Sequence, residues 1–326
     1  MKKIIWLGLF LPSLLLLAPL PLLKTPTQAV AAGVYYTELE VNEAPEAQKA
    51  ATDSFLVKDH KTNEIYELTA SEYICGVVCG EMPLSFGDEA IKAQAVAAYT
   101  FACMRRQTNS GKDYDITTDY TVDQCYVSES EAKQKWGDNA EQSIKKIKEL
   151  VDSVMGYMVT YNGNAALTVY HSASAGKTQN VSDVWGGSLP YLVSVDSVGD
   201  TTSEGFVSSV QLTADEMKEK LKPLCSVSGQ ASDWFKNPQK NSAGYVSEIT
   251  VCGKKLTGSQ IRAALSLKST SFEINYFDNT FTVTVKGNGH GVGMSQYGAA
   301  AMASNGSGFE EILCHYYKGC KVEKVF

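Results

Sequence analysis

Residues 69–106 read TASEYICGVVCGEMPLSFGDEAIKAQAVAAYTFACMRR, a pattern that predicts two helices separated by a break. Thr69 followed by Glu72 has the form of a capping box, so we expect the first helix to begin there. The apolar residues of this helix recur at helical spacing and should face the core: Tyr73, Ile74, Val77 and Val78.

The break between the two helices follows at Met82-Pro83. Proline cannot continue a helix, and it pushes the residue before it out of the α region. Ser85 with Asp88 predicts a second cap, ahead of the alanine-rich segment 90–98. Because alanine is small, neighbouring elements can approach the second helix closely, which predicts a central position for it.

Glu81 is the carboxylate at this break. It would lie at the negative end of the first helix dipole and beside apolar groups, and both effects raise the pKa of a carboxyl group. A raised pKa suits a general acid at neutral pH. The alternative is a solvated glutamate at a helix end, and the local pattern leaves both interpretations open.

The composition is that of a globular chain with one large domain or two modest ones. The chain has 326 residues, 44% of them hydrophobic, and a formal net charge of −7. The sequence contains no basic block, so we expect neither nucleic acid nor an anionic membrane surface as a partner.

The N-terminal segment predicts export. Lys2 and Lys3 precede an apolar run over residues 4–23, which is long for a signal peptide and long enough to span a bilayer. A cleavage pattern, Ala29-Val30-Ala31, follows a few residues later. An uncleaved anchor keeps the chain on the outer face of the membrane and a cleaved signal secretes it; we favour the anchor.

We predict an α+β fold in which helices and antiparallel hairpins surround the central helix pair. Residues 1–27 form the anchor or signal, residues 28–52 a linker, and residues 53–326 the folded domain, with a β-rich insertion over residues 213–285. The expected hairpins join residues 55–59 to 64–68, 158–161 to 166–170, and 272–277 to 281–285. Helices are expected over residues 129–151, 213–221 and 257–265, and a strand over residues 245–251.

Several motifs, read in order, resemble the Stage II sporulation protein D family of cell-wall enzymes. That family is recognised by a Glu-Met-Pro turn and a Glu-Ala-x-Lys-Ala-Gln-Ala helix, which match residues 81–83 and 89–95. Further matches are Gln124-Cys125-Tyr126, the loop 171–178, Trp185-Gly186, Pro190-Tyr191-Leu192, the run 287–299 and His315-Tyr316-Tyr317. The likeness covers the chain from about Phe55 to its end.

The resemblance implies a lytic transglycosylase that cuts peptidoglycan glycan strands, with Glu81 as its catalytic acid. It also implies a role in sporulation, where family members degrade wall during engulfment alongside a wall amidase and a membrane scaffold protein. Residues in the matching motifs are expected to contact the glycan: Lys92, His171, Lys177, His290, Ser295, Gln296 and Tyr297. The family commonly has arginine where this chain has Tyr99, which leaves one polar contact of the expected site unassigned.

Some of these residues have plainer explanations. His290 could hold its own loop as a packed histidine, and Lys177 could be an ordinary exposed lysine. The Ser172 and Ser174 hydroxyls do not predict a serine nucleophile, because no Gly-x-Ser-x-Gly elbow is present. The alternating glycines of residues 287–293 do not fit a dinucleotide fingerprint, but they would let the backbone approach a ligand closely.

Eight cysteines are many for an exported protein of this length: positions 75, 79, 103, 125, 225, 252, 314 and 320. Cys75 and Cys79 occupy adjacent turns of one predicted helix, so we expect no bridge between them. Some family members hold zinc near the catalytic glutamate. Here the matching region offers only Cys125 and Asp123, so we expect no metal or other cofactor.

One carboxylate is enough for the implied reaction. Ordinary glycosidases use two carboxyl groups. In a lytic transglycosylase the C6 hydroxyl of muramic acid closes onto C1, so a single glutamate protonates the leaving oxygen and then accepts the hydroxyl proton. Two other functions stay open: a non-catalytic, glycan-binding enhancer of a wall amidase, and a metal-dependent wall hydrolase.

Overall fold

A computed structural model describes residues 46–326 of the chain. The predicted anchor or signal and most of the predicted linker lie outside the described residues. No helix within residues 46–326 is long and apolar enough to cross a membrane.

The described residues form an α+β fold, as predicted. The helices are α1 (Ala47–Ala50), α2 (Ala70–Glu81), α3 (Asp88–Thr108), α4 (Glu129–Trp136), α5 (Ala140–Val154), α6 (Val181–Val184), α7 (Ala214–Leu221), α8 (Gly258–Leu265), α9 (Gln296–Ser304) and α10 (Phe309–Tyr316). Short 3₁₀ turns lie at Leu84–Phe86, Gly137–Asn139, Val198–Thr202 and Ala231–Asp233.

The strands form several small sheets. The strands are β1 (Ser54–Lys58), β2 (Ile65–Thr69), β3 (Ile116–Thr117), β4 (Tyr157–Tyr161), β5 (Asn164–Ala165), β6 (Tyr170–His171), β7 (Val207–Thr213), β8 (Phe235–Lys240), β9 (Val246–Val251), β10 (Lys254–Thr257), β11 (Phe272–Phe277), β12 (Thr280–Lys286), β13 (Met294–Ser295) and β14 (Lys321–Lys324). They pair in the orders β2-β1-β3, β10-β9-β8, β11-β12-β7, β13-β6 and β14-β4-β5.

The helix pair α2 and α3 lies at the centre of the larger hydrophobic core. The capping box at the start of α2 is present as predicted: Thr69 accepts from the Glu72 amide, and Glu72 accepts from the Thr69 amide. The four residues expected to face inward are all fully buried. Helix α3 is buried along most of its length and contacts α5, α9 and α10, which its alanines allow to pack closely.

The start of α3 differs from the prediction. Ser85 lies inside the 3₁₀ turn and caps nothing, and Gly87 stands at the N-cap position with a φ of 89°. A glycine adopts this conformation without the steric penalty of a side chain. The chain therefore turns into α3 through glycine rather than through a serine cap.

Two other predictions were wrong in part. The helix expected over residues 129–151 is two helices, because Gly137 adopts a φ of 57° and ends α4. The hairpin that begins with β4 ends at Ala165. The following β6 pairs in parallel with β13, which brings the loop after His171 beside the glycine-rich run 287–293.

A second hydrophobic cluster runs from Leu212 to Val285 and contains the sheets β10-β9-β8 and β11-β12-β7. Helices α7 and α8 begin at the predicted caps, Thr213 and Thr257. The β11–β12 hairpin turns at Asp278 and Asn279, as predicted. This cluster coincides with the predicted β-rich insertion, and the division into domains stays a prediction.

Candidate active site

Glu81 is the last residue of α2, and it faces an open cleft. The helix ends there because Met82 is extended ahead of Pro83, with a φ of −137°. The cleft has a volume of about 570 Å³. Its lining residues are Cys79, Gly80, Glu81, Met82, Pro83, Ser85, Phe86, Lys135, Trp136, Ser172, Glu204, Gln296 and Tyr297.

Two hydrogen bonds hold the Glu81 carboxylate. The backbone N–H of Cys125 donates to Oε1 at 3.0 Å, and the side-chain amide of Gln296 donates to Oε2 at 3.3 Å. Both bonds favour the ionised form, but burial outweighs them and raises the pKa of Glu81 to about 7. The carboxyl group can therefore give up or accept a proton near neutral pH, as an acid–base catalyst must.

The Cys125 amide reaches the carboxylate because the residues on either side of it are anchored. Gln124 is buried, donates to the Tyr73 hydroxyl at 3.3 Å and accepts from the Tyr170 hydroxyl at 2.8 Å. The Tyr126 ring stacks on the Tyr73 ring, with centroids 5.7 Å apart. The contacts of Gln124 and Tyr126 thus fix the backbone of Cys125, which lies between them.

Gly80 lets the Cys125 loop pack directly against α2. A Cβ atom at Gly80 would lie 2.8 Å from the Cys125 Sγ atom and 3.3 Å from the Cys125 carbonyl oxygen. A side chain here would force the Cys125 thiol to turn aside or the Cys125 backbone to shift.

Gln296 is placed by the N-terminal cap of α9. Ser295 accepts from the Gly298 amide at 3.2 Å and donates to Asp200 at 2.6 Å. Asp200 is fully buried and also accepts from the Ser174 amide at 2.8 Å. These bonds fix the first turn of α9, and with it the position of Gln296.

Of the predicted glycan-binding residues, Gln296 and Tyr297 line the cleft together with Glu81. The Tyr297 ring packs against Phe86, with centroids 4.7 Å apart. Ser295 is fully buried behind them and does not line the cleft.

His171 and His290 lie outside the cleft lining, buried side by side with ring centroids 5.4 Å apart. The His290 ring also packs on Trp185 at 4.8 Å. Burial lowers the pKa of both imidazoles, that of His171 to about 4, so both are neutral at pH 7. Their contacts hold the surrounding loops, and contact with the glycan stays a prediction for both.

The two predicted lysines also lie outside the cleft lining. Lys92 pairs with Glu89 at 2.7 Å, and Lys177 pairs with Asp196 at 2.9 Å. A glycan contact for either residue stays a prediction.

The four alternating glycines serve packing. Gly287, Gly289, Gly291 and Gly293 all have positive φ, between 70° and 113°. A Cβ atom at Gly293 would lie 2.1 Å from the Val169 carbonyl oxygen, so only glycine fits there. The run uses its glycines to pack against the chain around β6.

Comparison with known proteins agrees with the order of the motifs. A family model described as Stage II sporulation protein matches residues 58–161. Stage II sporulation protein D of Bacillus subtilis (strain 168) is 35% identical over 283 residues, which cover 86% of this chain and 82% of that protein. The chain belongs to the Stage II sporulation protein D family.

The chain is also similar to two further proteins. Stage II sporulation protein D of Bacillus amyloliquefaciens is 34% identical over 338 residues, 100% of this chain and 97% of that protein. A protein named Amidase enhancer from Bacillus subtilis (strain 168) is 27% identical over 295 residues, 75% of this chain and 39% of that protein. The alignment with the Bacillus amyloliquefaciens protein covers the whole chain and therefore includes both Glu81 and Gln296.

Position 99, where the family commonly has arginine, lies away from the cleft lining in this member. The Tyr99 hydroxyl donates to the Thr52 carbonyl at 2.8 Å and accepts from the Thr52 amide at 3.0 Å. Tyr99 therefore ties the start of the folded region to α3.

The residues near Glu81 do not fit the zinc site of some family members. The Asp123 carboxylate is occupied by Arg105 at 2.6 Å and by Thr117 at 2.9 Å. Within residues 46–326 no group of three or more Cys, His, Asp and Glu side chains could hold a metal ion. The eight cysteines are free thiols, including Cys75 and Cys79 on α2.

Sequence reasoning missed several residues that line the cleft: Phe86, Lys135, Trp136, Ser172 and Glu204. Lys135 and Trp136 fell inside the predicted continuous helix. The signal that could have found them is Gly137-Asp138-Asn139, which ends α4 and leaves both residues at the rim of the cleft. Glu204 follows the 3₁₀ turn Val198–Thr202, and nothing in the neighbouring sequence predicts that it lines the cleft.

Proposed function

We propose that this family member is a lytic transglycosylase that cleaves peptidoglycan glycan strands, with Glu81 as both acid and base. The observation that carries the proposal is a partly buried carboxyl group, of pKa about 7, held by two donors at the wall of an open cleft. Such a group is available in both protonation states at neutral pH.

The proposed reaction has two proton transfers. Protonated Glu81 first gives its proton to the glycosidic oxygen as the bond from that oxygen to C1 of the muramic acid breaks. The C6 hydroxyl of the same sugar then bonds to C1, and the Glu81 carboxylate takes the hydroxyl proton. The enzyme ends protonated as it began, and the product carries a 1,6-anhydro ring.

The donors around Glu81 have a defined part in this sequence. Between the two transfers the carboxylate is ionised, and the Cys125 N–H and the Gln296 amide stabilise it in place. Because the same contacts exist before substrate arrives, little rearrangement is needed during the reaction.

The rest of the lining suits a polymer of sugar rings. Phe86, Trp136 and Tyr297 offer aromatic faces on which the apolar faces of sugar rings can pack. Lys135 is the cation among the lining residues, and it can pair with a carboxylate on the glycan. These residues would hold the strand while Glu81 acts on one bond.

The product distinguishes this function from hydrolysis. We would incubate the purified full-length chain with peptidoglycan glycan strands in H₂¹⁸O and analyse the products by mass spectrometry. A lytic transglycosylase releases anhydro-muramic ends without ¹⁸O. An increase in ¹⁸O-labelled reducing ends over a control without the protein, in place of anhydro ends, would show hydrolysis and overturn the proposal.

A non-catalytic function is the second candidate, and the relative named Amidase enhancer favours it. In that case the purified chain would release no glycan product but would accelerate cleavage of stem peptides by a wall amidase. Running the product assay with and without such an amidase separates the two functions.

We further propose that the protein works outside the cell membrane during sporulation, with a wall amidase and a membrane scaffold protein as partners. The lysines and apolar run at the N-terminus support export. Fractionation of sporulating cells tests the location: recovery of the protein only from the cytosol would contradict it.

A further inference from the structure

Gln94 is a buried polar residue in an otherwise apolar stretch of α3. Its side chain is fully buried, and its neighbours along the helix, Ala93 and Ala95, are alanines packed in the larger core. Within the described residues its Nε2 atom has no hydrogen-bond partner. Because an unpaired buried amide destabilises a fold, packing alone does not explain a glutamine at this position.

The other end of the Gln94 amide contacts the candidate active site. Gln94 Oε1 accepts a hydrogen bond from Gln296 Nε2 at 3.3 Å. The same Nε2 atom donates to Glu81 Oε2, also at 3.3 Å. A primary amide carries two N–H groups, so Gln296 uses one toward each neighbour.

Gln94 and the Glu81 carboxylate together therefore favour one orientation of the Gln296 amide. If Gln94 were reversed, its NH₂ group would face the NH₂ group of Gln296, and two donors would oppose each other. If Gln296 were reversed, its oxygen would face both Gln94 Oε1 and the Glu81 carboxylate. Only the observed orientation gives the ionised carboxylate a donor and Gln94 Oε1 a partner.

We propose that Gln94 is a positioning residue for Glu81, acting through the side-chain amide of Gln296. It keeps the N–H side of that amide toward the carboxylate, and so stabilises the ionised form of Glu81 that exists between the two proton transfers. The catalytic consequence rests on the proposed function; the effect on the carboxyl group does not, since it can be measured without substrate.

Other titratable groups also surround Glu81, and they come from each element packed around it. They are Tyr73 and Cys79 on α2, Cys125 in the loop before α4, Lys135 on α4, Glu204 after the 3₁₀ turn Val198–Thr202, and Tyr297 on α9. Replacing Gln94 or Gln296 by methionine removes an amide and changes none of these groups. A shift in the Glu81 titration on such a replacement therefore reports the amide pair.

The test is the titration of Glu81 in the full-length chain, followed by NMR with glutamate labelled at the ¹³C carboxyl carbon. Glu81→Gln identifies the Glu81 resonance by its loss. We expect Gln296→Met to raise the Glu81 pKa by about 1 unit, because a donor to a charged group is lost. Gln94→Met should raise it by a smaller amount, because the Gln296 amide is then free to turn.

The double variant, Gln94→Met with Gln296→Met, tests whether Gln94 acts through Gln296. If Gln94 acts through Gln296, adding Gln94→Met to Gln296→Met changes the Glu81 pKa no further. Two shifts that add, or an unchanged pKa in Gln94→Met alone, would overturn the proposal. Gln107→Met, at an exposed position of the same helix, is the matched control and should leave the titration unchanged.

Folding and activity are checked separately. Gln94→Met removes an unpaired buried donor but also the acceptor of one Gln296 N–H, so it should unfold near the wild-type temperature; if it does not fold, Gln94→Leu takes its place. If the titration behaves as expected but no anhydro product forms, the proposed function fails and the positioning role stands. If product forms and the titration does not respond, the positioning role fails alone.

Discussion

The side-chain amide of Gln296 donates a hydrogen bond to the Glu81 carboxylate at 3.3 Å, although 215 positions separate the two residues in the chain. Glu81 comes from the break after α2, and Gln296 from the first turn of α9. Neither segment forms the candidate active site by itself. The packing of α9 on the alanine-rich α3 brings the acid and its donor together.

The raised pKa of Glu81 predicts a pH-dependent effect of Glu81→Gln on stability. The folded pKa of about 7 lies above the ordinary glutamate pKa of 4.5, so protonation of the carboxyl group favours folding. That contribution is full below pH 4.5 and is lost as the pH rises through 7. Glutamine is neutral at every pH, so the variant should gain stability over wild type on going from pH 4 to pH 8, by up to about 3 kcal/mol. Denaturant unfolding at the two pH values measures this, and an equal difference at both would contradict the assigned pKa.

Gly80→Ala should reduce glycan cleavage. The added Cβ would lie 2.8 Å from the Cys125 Sγ atom and 3.3 Å from the Cys125 carbonyl oxygen, so the thiol must turn aside and the loop must shift, which weakens the N–H bond to the carboxylate. We expect a loss of about tenfold or more in kcat, which corresponds to about 1.4 kcal/mol for a weakened hydrogen bond to a charged group. Gly111→Ala is the matched control, because no atom lies within 4 Å of a Cβ there. Equal activity of the two variants would show that the Cys125 contact is unimportant.

Lys135→Ala should weaken substrate binding while leaving the chemical step intact. Lys135 lines the cleft but does not contact the carboxylate oxygens, whose donors are Cys125 and Gln296. We expect KM to rise several-fold with kcat nearly unchanged, and more at low salt than at high salt. Lys133→Ala, two residues earlier on α4 and paired with Glu129, is the control. A kcat loss without a KM change would place Lys135 in the chemistry instead.

The structure agrees with most of the local signals in the sequence, although the cap expected at Ser85 is absent. The caps at Thr69, Thr213 and Thr257 are encoded within four residues each, and the structure contains all of them. The break at Met82-Pro83 is equally local, since proline acts on the residue before it. The position of Glu81 at the end of α2 therefore followed from its neighbours.

The partners of Glu81 could not be derived in the same way. The contact with Gln296 depends on how α9 packs on α3, and the parallel pairing of β6 with β13 joins segments more than a hundred residues apart. Local patterns do not encode such pairings. Gly137 is a local signal for the end of a helix, but the helical spacing of apolar residues around it favoured one continuous helix. The cleft-lining positions of Lys135 and Trp136 were therefore not predicted.

Glu204→Gln should retain glycan cleavage. Glu204 is the other glutamate in the cleft lining, and it is exposed. A glycoside hydrolase needs two carboxyl groups, whereas the proposed reaction needs only Glu81. We expect kcat within about threefold of wild type, since surface charge changes have small effects. Loss of cleavage in Glu204→Gln would indicate a two-carboxylate hydrolase.

Glu81→Gln tests the central claim most directly, with anhydro-muramic product counted by mass spectrometry under conditions where wild type is linear. Glutamine keeps the shape of the side chain but cannot supply a proton, and general acid catalysis is typically worth roughly 10²–10⁴-fold. Asp88→Asn, an acid at the start of α3 that pairs with Lys146, is the control and should retain wild-type activity. We predict that Glu81→Gln binds glycan strands as wild type does and forms product at least about a hundredfold more slowly. Product formation at the wild-type rate would place the catalytic acid elsewhere and contradict the account.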